Sequence, residues 1–403
     1  MLVFKNAFLI DGTGAAPLPN ATVIISGKTI DAAGQNIKPP ENAQVIDLKG
    51  KPLLPGFSDA HTHFGGSPLL ERPGSVSRFT SYDYAEHCEA ALSWGVTAMR
   101  SAGDFTPDII EFRDEVNAGK HRSPRVLACG PFLQAKGGHP LSTVYFDDPV
   151  IAKGSIVSID EKTDIDAEVG KLADLGVDWI KVMAGRKNKL KYPDDEVPGL
   201  TEKQLRLITD AAHKRGLPVM MHADDVGDLV RAVKAGADTV EHTINVATSD
   251  HEMTDEALRL LIDNKVWVVP TMTATKLHDG SAAEAPLVWP ALLTAVRRMI
   301  QAGVRIGVGC DSGIPFLPRG ECIHIETELL TEAGYTPLQA VTAVTGKNAE
   351  MLRSNDVFGT VTPGKAADIA VLGSNPLEDI RNTRDILMVL RDGAVVIDKL
   401  LSV

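Results

Sequence analysis

The sequence predicts an α/β fold in which a (β/α)8 barrel of the TIM type is joined to a small β-sandwich domain formed by both chain termini. Short apolar runs rich in β-branched residues alternate with helical stretches, and eight such runs follow one another at spacings of roughly 20 to 50 residues. Strand-like runs also crowd the start of the chain and return near its end. Because a small set of strands cannot bury one face alone, we expect the two terminal sets to pair.

The connections support a barrel. Helical stretches often end in glycine just before an apolar run, as in "LGVDWIKVMAG" and "AGADTVEHTIN". Glycine after the last helical turn, followed by a buried strand, is typical of an α-to-β connection. A doubly wound open sheet is the alternative, but such a sheet usually opens with a glycine-rich phosphate turn, which this sequence lacks.

The chain divides into three parts at these changes of pattern. Residues 1–55 contain "LVFKNAFLI", "ATVIIS" and "AQVIDL" between turns, which predicts a small antiparallel β unit. Residues 56–352 form the barrel and end in the helix pattern "TPLQAVTAVTGKNAEML". Residues 353–403 supply the other part of the sandwich, with a hairpin that turns at Asp392-Gly393.

Bulk composition excludes several classes of function. The formal net charge of −12 makes sequence-independent binding to nucleic acid or to an anionic membrane unexpected. The chain has no membrane-spanning run and no signal-peptide pattern at its start. Its four cysteines are scattered without a C-x-x-C pair, so we expect reduced thiols and a cytoplasmic protein.

The stretch "GFSDAHTHFGG" contains the first candidate site residues, His61 and His63. Residues i and i+2 of a strand point to the same face, so two imidazoles at a strand end can bind one metal ion. Two unrelated polar residues in a loop are the alternative interpretation.

Four more polar residues interrupt or close the later apolar runs. They are Lys181 in "WIKVMAG", His222 in "VMMHADD", His242 in "VEHTIN" and Asp311 in "GVGCDSG". Each has an ordinary structural explanation when it is taken singly. Because the carboxyl ends of all eight barrel strands converge on one mouth, the set together predicts one catalytic site.

These residues resemble the pattern of the amidohydrolase superfamily, which has His-x-His, Lys, His, His and Asp at strands one, four, five, six and eight. The similarity spans nearly the whole chain, from residues 50–63 to the C-terminal "GTVTPGKAADIAVL". Within the superfamily the chain is most similar to the imidazolonepropionase-like branch that contains metal-dependent dipeptidases, prolidases among them. The "GGH" at residues 137–139 also resembles that branch.

The resemblance implies a hydrolase that cleaves an amide-type C–N bond in a small-molecule substrate, with two divalent metal ions, for which we expect zinc. It implies that Lys181 reacts with carbon dioxide and that the resulting carbamate is shared by the two ions. The remaining ligands would divide into His61, His63 and Asp311 on one ion and His222 and His242 on the other. Asp311 would also move the proton, and His139 would hydrogen-bond the developing oxyanion. Relatives with this sandwich commonly assemble, so we expect a homo-oligomer.

Two other classes of function stay open at this stage. Mononuclear relatives, such as imidazolonepropionase and the deaminases, do not use a bridging lysine, although "MHADD" resembles the imidazolonepropionase stretch after strand five. Non-catalytic scaffold proteins with this fold have lost metal ligands, whereas this chain retains all six.

Substrate identity is open. Many peptidase relatives continue after the lysine with Ser-Gly-Gly, but this chain has the loop "AGRKNKLKYPDDEVPG". Arg186 or Tyr192 in this loop is a candidate contact for a substrate carboxylate. The alternative is a solvated loop whose cations are balanced by neighbouring acids. A dipeptide, an N-acyl amino acid, a carbamate, a urea, a lactam or a lactone all remain possible substrates.

Overall fold

The computed structural model describes residues 1–65, 81–145, 147–188, 192–244, 252–278, 285–314 and 317–400. The terminal strands form one eight-stranded sheet, so the predicted pairing of the two chain ends is confirmed. Its strands are β1 (Leu2–Leu9), β2 (Leu18–Ser26), β3 (Thr29–Gly34), β4 (Gln44–Asp47), β5 (Pro52–Pro55), β18 (Ile369–Leu372), β19 (Ile386–Arg391) and β20 (Ala394–Asp398). The two ends meet where β18 lies antiparallel to β5, with Ala370 opposite Leu54.

The N-terminal unit differs from the expected antiparallel arrangement. The strand order is β20-β19-β18-β5-β1-β2-β3, and β1 pairs in parallel with both β4 and β5. The crossover of residues 35–43, which follows the hairpin of β2 and β3, carries the chain back past β1 before β4 begins. The sheet is therefore mixed rather than purely antiparallel.

The middle of the chain forms parallel strands. They are β6 (Phe57–Thr62), β7 (Val96–Ser101), β8 (Arg125–Leu127), β9 (Phe132–Ala135), β10 (Ile156–Ile159), β11 (Ile180–Met183), β14 (Val219–Ala223), β15 (Thr239–His242), β16 (Trp267–Val269) and β17 (Arg305–Ile306). All eight predicted runs form strands, but the third is divided into β8 and β9, and β10 is an additional strand beside β9. A short hairpin of β12 (Lys187–Asn188) and β13 (Tyr192–Glu196) follows β11.

The barrel closes between its first and last strands. The backbone N–H of Asp311 donates to the carbonyl of His61 at 2.8 Å, and that of Ala60 donates to Val308 at 3.0 Å. Asn348 clamps the same two strands, because its side-chain amide donates to the carbonyls of Ser58 and Val308. A closed ring excludes the open doubly wound sheet.

The helices surround the barrel and follow its strands in turn. They are α1 (Ser81–Ser93), α2 (Asp108–Asn117), α3 (Pro149–Gly154), α4 (Ile165–Leu175), α5 (Glu202–Lys214), α6 (Val226–Ala235), α7 (Asp255–Asp263), α8 (Met272–His278), α9 (Ala285–Ala302), α10 (Cys322–Glu332), α11 (Pro337–Thr342) and α12 (Asn348–Met351), with a π-helical turn at Ala343–Lys347 and a 3-10 turn at Ile380–Arg384.

Local turn chemistry agrees with the sequence. Gly176 after α4 and Gly236 after α6 are left-handed, with φ of 80° and 97°, as the predicted α-to-β connections require. Asp392 and Gly393 both have positive φ, the geometry of a tight hairpin turn between β19 and β20. No helix in the described ranges has both the length and the apolar character needed to cross a bilayer.

Candidate metal centre

The structure brings the six candidate ligands together at the carboxyl ends of the barrel strands. Asp311 Oδ1 lies 3.1 Å from His63 Nε2 and 3.4 Å from His61 Nε2. The ring of His242 lies 4.7 Å from that of His61 and 4.5 Å from that of His222. Lys181 is 1% exposed and close enough to Asp311 for their charges to interact. All six are buried side chains around one small volume.

Each imidazole is held by a protein group at one ring nitrogen. The Nδ1 atom of His61 lies 2.6 Å from Glu241 Oε2, and the Nδ1 atom of His63 lies 3.0 Å from the carbonyl of Gly103. The Nε2 atom of His222 lies 2.8 Å from Asp224 Oδ1, and the Nδ1 atom of His242 lies 2.8 Å from Thr271 Oγ1. Such contacts fix the ring orientation, which is how metal-binding histidines are usually supported.

The remaining atoms fit a cation. His61 Nε2 and Asp311 Oδ1 are buried without a hydrogen-bond partner in the described structure. Together with His63 they offer three ligand atoms within 4.8 Å of one another. Buried polar atoms seldom remain unsatisfied, so these two atoms fit the binding of a cation. Neutral imidazoles and a carboxylate are donors that zinc and similar divalent ions prefer.

Electrostatics favour the ligating ionisation state at two of the candidate ligands, His242 and Asp311. Burial lowers the pKa of His242 well below its ordinary value, and the neighbouring His222 and His61 lower it further. Burial alone would raise the pKa of Asp311, but the neighbouring imidazoles of His61, His63 and His242 hold it well below its usual range. A neutral imidazole and an ionised carboxylate are the ligating forms.

Glu241, which contacts the Nδ1 atom of His61, forms a buried ion pair with Arg100. This pair was not predicted from the sequence. Glu241 Oε1 accepts a hydrogen bond of 3.0 Å from Arg100, whose Nε donates to the Ala60 carbonyl at 2.7 Å and whose guanidinium lies 4.4 Å from the centre of the Trp179 ring. Burial would raise the pKa of Glu241, but Arg100 and the hydrogen bond from His61 outweigh it and leave a pKa of about 2. The ionised carboxylate thus keeps the Nδ1 proton on His61.

Backbone strain and close backbone contacts concentrate at the same place. His242, Thr243 and Asp311 have positive φ values of 73°, 76° and 62°, which are unfavourable for residues other than glycine. A Cβ atom on Gly309 would lie 2.6 Å from the backbone nitrogen of His61. The glycine-rich "GVGCDSG" therefore allows the backbones of the first and last barrel strands to approach closely.

His139 and Arg186 are candidate substrate contacts from the sequence. His139 lies beside the candidate ligand His222, and Arg186 lies beside Asp228. His139 is buried over the centre, with its ring 4.8 Å from that of His222 and its Nδ1 2.6 Å from Thr143 Oγ1. Arg186 is about one-third exposed, and its Nε lies 3.3 Å from the buried carboxylate of Asp228. The side chain of Tyr192 lies outside the described part of the structure.

A second buried cluster of metal-ligand residue types includes two residues that are sequence neighbours of this centre, Asp59 and Cys310. Asp59, Cys310 and Cys322 also offer ligand atoms within 4.8 Å of one another. In this cluster both carboxylate oxygens of Asp59 accept hydrogen bonds. Asp59 Oδ1 accepts from the backbone N–H groups of His61 and Cys310, and its Oδ2 accepts from the thiol of Cys310 at 2.7 Å and the hydroxyl of Ser312 at 3.3 Å.

A family comparison decides the classification, because the model of the amidohydrolase family matches residues 53–396. The chain belongs to the amidohydrolase family. It is therefore an enzyme of a family that hydrolyses amide-type bonds, as the resemblance implied. The match spans the barrel and, in the terminal sheet, β5, β18, β19 and part of β20, so it rests on far more than one motif.

Individual amidohydrolases are similar over nearly their whole length. The ochratoxinase of Aspergillus niger is 26% identical over 94% of this chain and 82% of its own. An imidazolonepropionase of Streptomyces griseus is 24% identical over 92% of this chain and 90% of its own. The solved structure of a Xaa-Pro dipeptidase with methionine bound in its active site is 27% identical, with a TM-score of 0.84 over 98% of this chain and 99% of that one.

Proposed function

We propose that this amidohydrolase is a binuclear metal enzyme that hydrolyses an amide whose leaving amine is an amino acid, as in a dipeptide or an N-acyl amino acid. The observation that carries the proposal is the pair of buried, unpartnered atoms, His61 Nε2 and Asp311 Oδ1, inside a cluster of oriented imidazoles. The dipeptidase with methionine in its active site supports the choice of leaving group.

The residues divide between two candidate ion positions. His61, His63 and Asp311 would hold one ion, and His222 and His242 would hold the other, with carboxylated Lys181 shared between them. Divalent ions at such a centre lower the pKa of water and polarise a carbonyl, and zinc suits this donor set.

Lys181 has the environment that carboxylation requires. Burial lowers the pKa of its amine, which makes the neutral form that reacts with carbon dioxide more accessible than in an exposed lysine. Within the described residues this amine makes no hydrogen bond or ion pair. In the reaction with carbon dioxide the amine nitrogen forms a bond to carbon and loses one proton, which gives an anionic carbamate with two oxygen donors.

Asp311 and His139 have separate proposed roles in catalysis. Asp311 accepts the proton of the attacking water and passes it to the departing nitrogen, because its low pKa keeps it ionised before the attack. His139 lies over His222 on the other side of the cluster, where a ring N–H can donate to the oxygen of the substrate carbonyl. Thr143 holds the His139 ring in place.

A one-metal enzyme of the imidazolonepropionase or deaminase type is the second candidate function. It is favoured by the similarity to the Streptomyces griseus protein and by the fact that His61, His63 and Asp311 already form a three-ligand set. In that case Lys181 would not be a ligand, and activity would need a single ion.

The deciding experiment combines metal analysis with a substrate panel of dipeptides, N-acyl amino acids, lactams and carbamates. We expect two ions per chain, loss of activity with chelators, and turnover of amides that release an amino acid.

The Lys181 variants test the proposed carbamate. Lys181→Ala should be nearly inactive, and Lys181→Arg should be inactive as well because a guanidinium forms no carbamate. Lys171→Ala, which removes an exposed lysine, is the matched control. A fully active Lys181→Ala enzyme would favour the one-metal candidate.

A further inference from the structure

Tyr145 lies near the candidate metal centre, and no sequence pattern pointed to it. Tyr145 follows His139 in a compact turn in which the backbone N–H groups of Val144 and Tyr145 both donate to the carbonyl of Pro140. The Tyr145 ring lies 6.4 Å from that of Phe132, and the Phe132 ring lies 5.7 Å from that of His63. A chain of ring contacts thus connects Tyr145 to a candidate metal ligand.

Among the residues that the structure describes, the hydroxyl of Tyr145 has no acceptor. It makes no hydrogen bond to any part of the chain that the structure describes. Burial raises the pKa of the Tyr145 hydroxyl, and the charges of Asp104 and Asp311 raise it further, so the group stays protonated. Tyr145 is half-buried, and a phenol without an acceptor in the described chain is free to donate a hydrogen bond to a substrate oxygen.

Tyr145 and His139 lie on different sides of the candidate metal centre. His139 lies against His222, whereas Tyr145 approaches through Phe132 to the half that contains His63 and Asp311. Under the proposed function Asp311 delivers the proton to the departing nitrogen, so the leaving amine lies on the side of Asp311. Tyr145 is therefore placed to contact the leaving amino acid rather than the acyl group.

The negative charge of Asp104 does not exclude a substrate carboxylate at this position. The carboxylate of Asp104 accepts hydrogen bonds from the hydroxyl of Ser101 at 2.6 Å and from the backbone N–H of Gly65 at 2.8 Å. Arg319 lies close enough to Asp104 for their charges to attract, and in the described structure it has no hydrogen bond or ion pair of its own. This cation offsets the charge of Asp104.

We propose that Tyr145 is a substrate-binding residue whose hydroxyl donates a hydrogen bond to the carboxylate of the departing amino acid. This inference rests on the proposed function and deepens it, because it makes a carboxylate on the leaving amine a condition of tight binding. The selected substrates are then N-acyl amino acids and dipeptides, and amides of simple amines bind poorly.

The test compares two matched inhibitors on the metal-loaded enzyme. One is a phosphonate analogue of an N-acyl-phenylalanine, and the other is the same molecule built on phenethylamine, which lacks only the carboxylate. Calorimetry measures the Kd of each for the wild type, for Tyr145→Phe and for Tyr335→Phe, a control that removes a half-buried phenol distant in sequence from the centre. Metal content is measured for all three proteins.

We expect Tyr145→Phe to weaken binding of the carboxylate analogue at least ~10-fold and that of the phenethylamine analogue less than ~2-fold, because hydrogen bonds to charged groups are among the stronger ones. Tyr335→Phe should change neither value. Equal binding by wild type and Tyr145→Phe would overturn the inference, and so would equal weakening of both analogues. A metal-loaded wild type that hydrolyses no amino-acid amide would instead contradict the proposed function.

Discussion

Two buried triads of metal-ligand residue types lie side by side in this barrel, and they differ in how their polar atoms are satisfied. Every oxygen of Asp59 accepts at least one hydrogen bond, including one from the Cys310 thiol. In the other triad, His61 Nε2 and Asp311 Oδ1 have no partner within the described ranges. Proximity alone therefore does not distinguish a metal centre from a structural cluster, whereas unsatisfied atoms do.

Ionisation separates the two triads as well. Burial raises the pKa values of Asp59 and Cys310, and the hydrogen bonds to Asp59 do not outweigh this effect, so ionisation of both groups is disfavoured. Around Asp311 the histidines reverse the effect of burial and lower the pKa. Because thiolates and carboxylates are the ligating forms, Asp311 is the acid of the two triads whose surroundings favour the form that binds a cation.

The largest expected effect comes from changing the unsatisfied carboxylate. Asp311→Asn should lower kcat at least ~10³-fold and change KM much less, because the amide can coordinate weakly but cannot carry a proton. Asp59→Asn alters the neighbouring, fully engaged carboxylate and should keep kcat within roughly tenfold of the wild type. Steady-state kinetics of both variants make the comparison. A fast Asp311→Asn enzyme would show that another group moves the proton.

The carboxylate beneath His61 should affect metal affinity more moderately. Glu241→Gln removes the negative charge that fixes the His61 tautomer, so we expect the affinity for zinc to fall roughly 10- to 100-fold. Competition with a metal chelator measures this affinity. Glu168→Gln, a surface carboxylate paired with Lys171, is the control and should bind zinc as the wild type does. Unchanged affinity in Glu241→Gln would remove the proposed role of the ion pair with Arg100.

His324 shows whether a single buried nitrogen without a hydrogen-bond partner is enough to make a histidine a metal ligand. His324 Nδ1 is also buried without a partner in the described chain, but its ring lies against Phe57 and Trp94 rather than among other ligands. Burial lowers the pKa of His324 to about 3. We therefore expect His324 to affect acid stability and to leave zinc binding unchanged.

The direction of the pH dependence of the free energy of unfolding follows from the difference in His324 protonation between the folded and unfolded states. The unfolded chain binds a proton at His324 below about pH 6.5, while the folded protein does not until pH approaches 3, so the free energy of unfolding falls as pH decreases through this window. At pH 5 the loss attributable to His324 should be about 2 kcal/mol. Denaturant unfolding of the wild type and His324→Gln at pH 7.5 and pH 5 measures it. An equal pH dependence in both proteins would contradict this account.

The sequence predicted the eight barrel strands and the pairing of the chain ends because both depend on local patterns, namely apolar runs, glycine caps and turns. The clustering of His61, Lys181 and Asp311 followed from one topological fact, the convergence of strand ends. The division of the third strand, the extra strand β10 and the parallel partners of β1 depend on long-range packing, which a local pattern does not encode.

The supporting residues were missed for a similar reason. Arg100 and Glu241 each occur alone within an apolar strand, and only the fold brings the two side chains to 3.0 Å. A charged residue inside a run such as "VTAMRS" is the signal that could have been used, because a buried charge needs a partner. Tyr145 occupies an irregular turn with no periodic pattern, so its position beside Phe132 is visible only in three dimensions.

The most direct test of the metal centre is a zinc titration of metal-free protein that counts the ions bound per chain. The wild type and the Cys310→Ala/Cys322→Ala variant are titrated in parallel, since the variant removes both thiols of the neighbouring triad and none of the proposed ligands. The account predicts two ions per chain in both proteins, with activity restored as the second ion binds. A single ion in fully active wild type, or the loss of an ion in the cysteine variant, would contradict it.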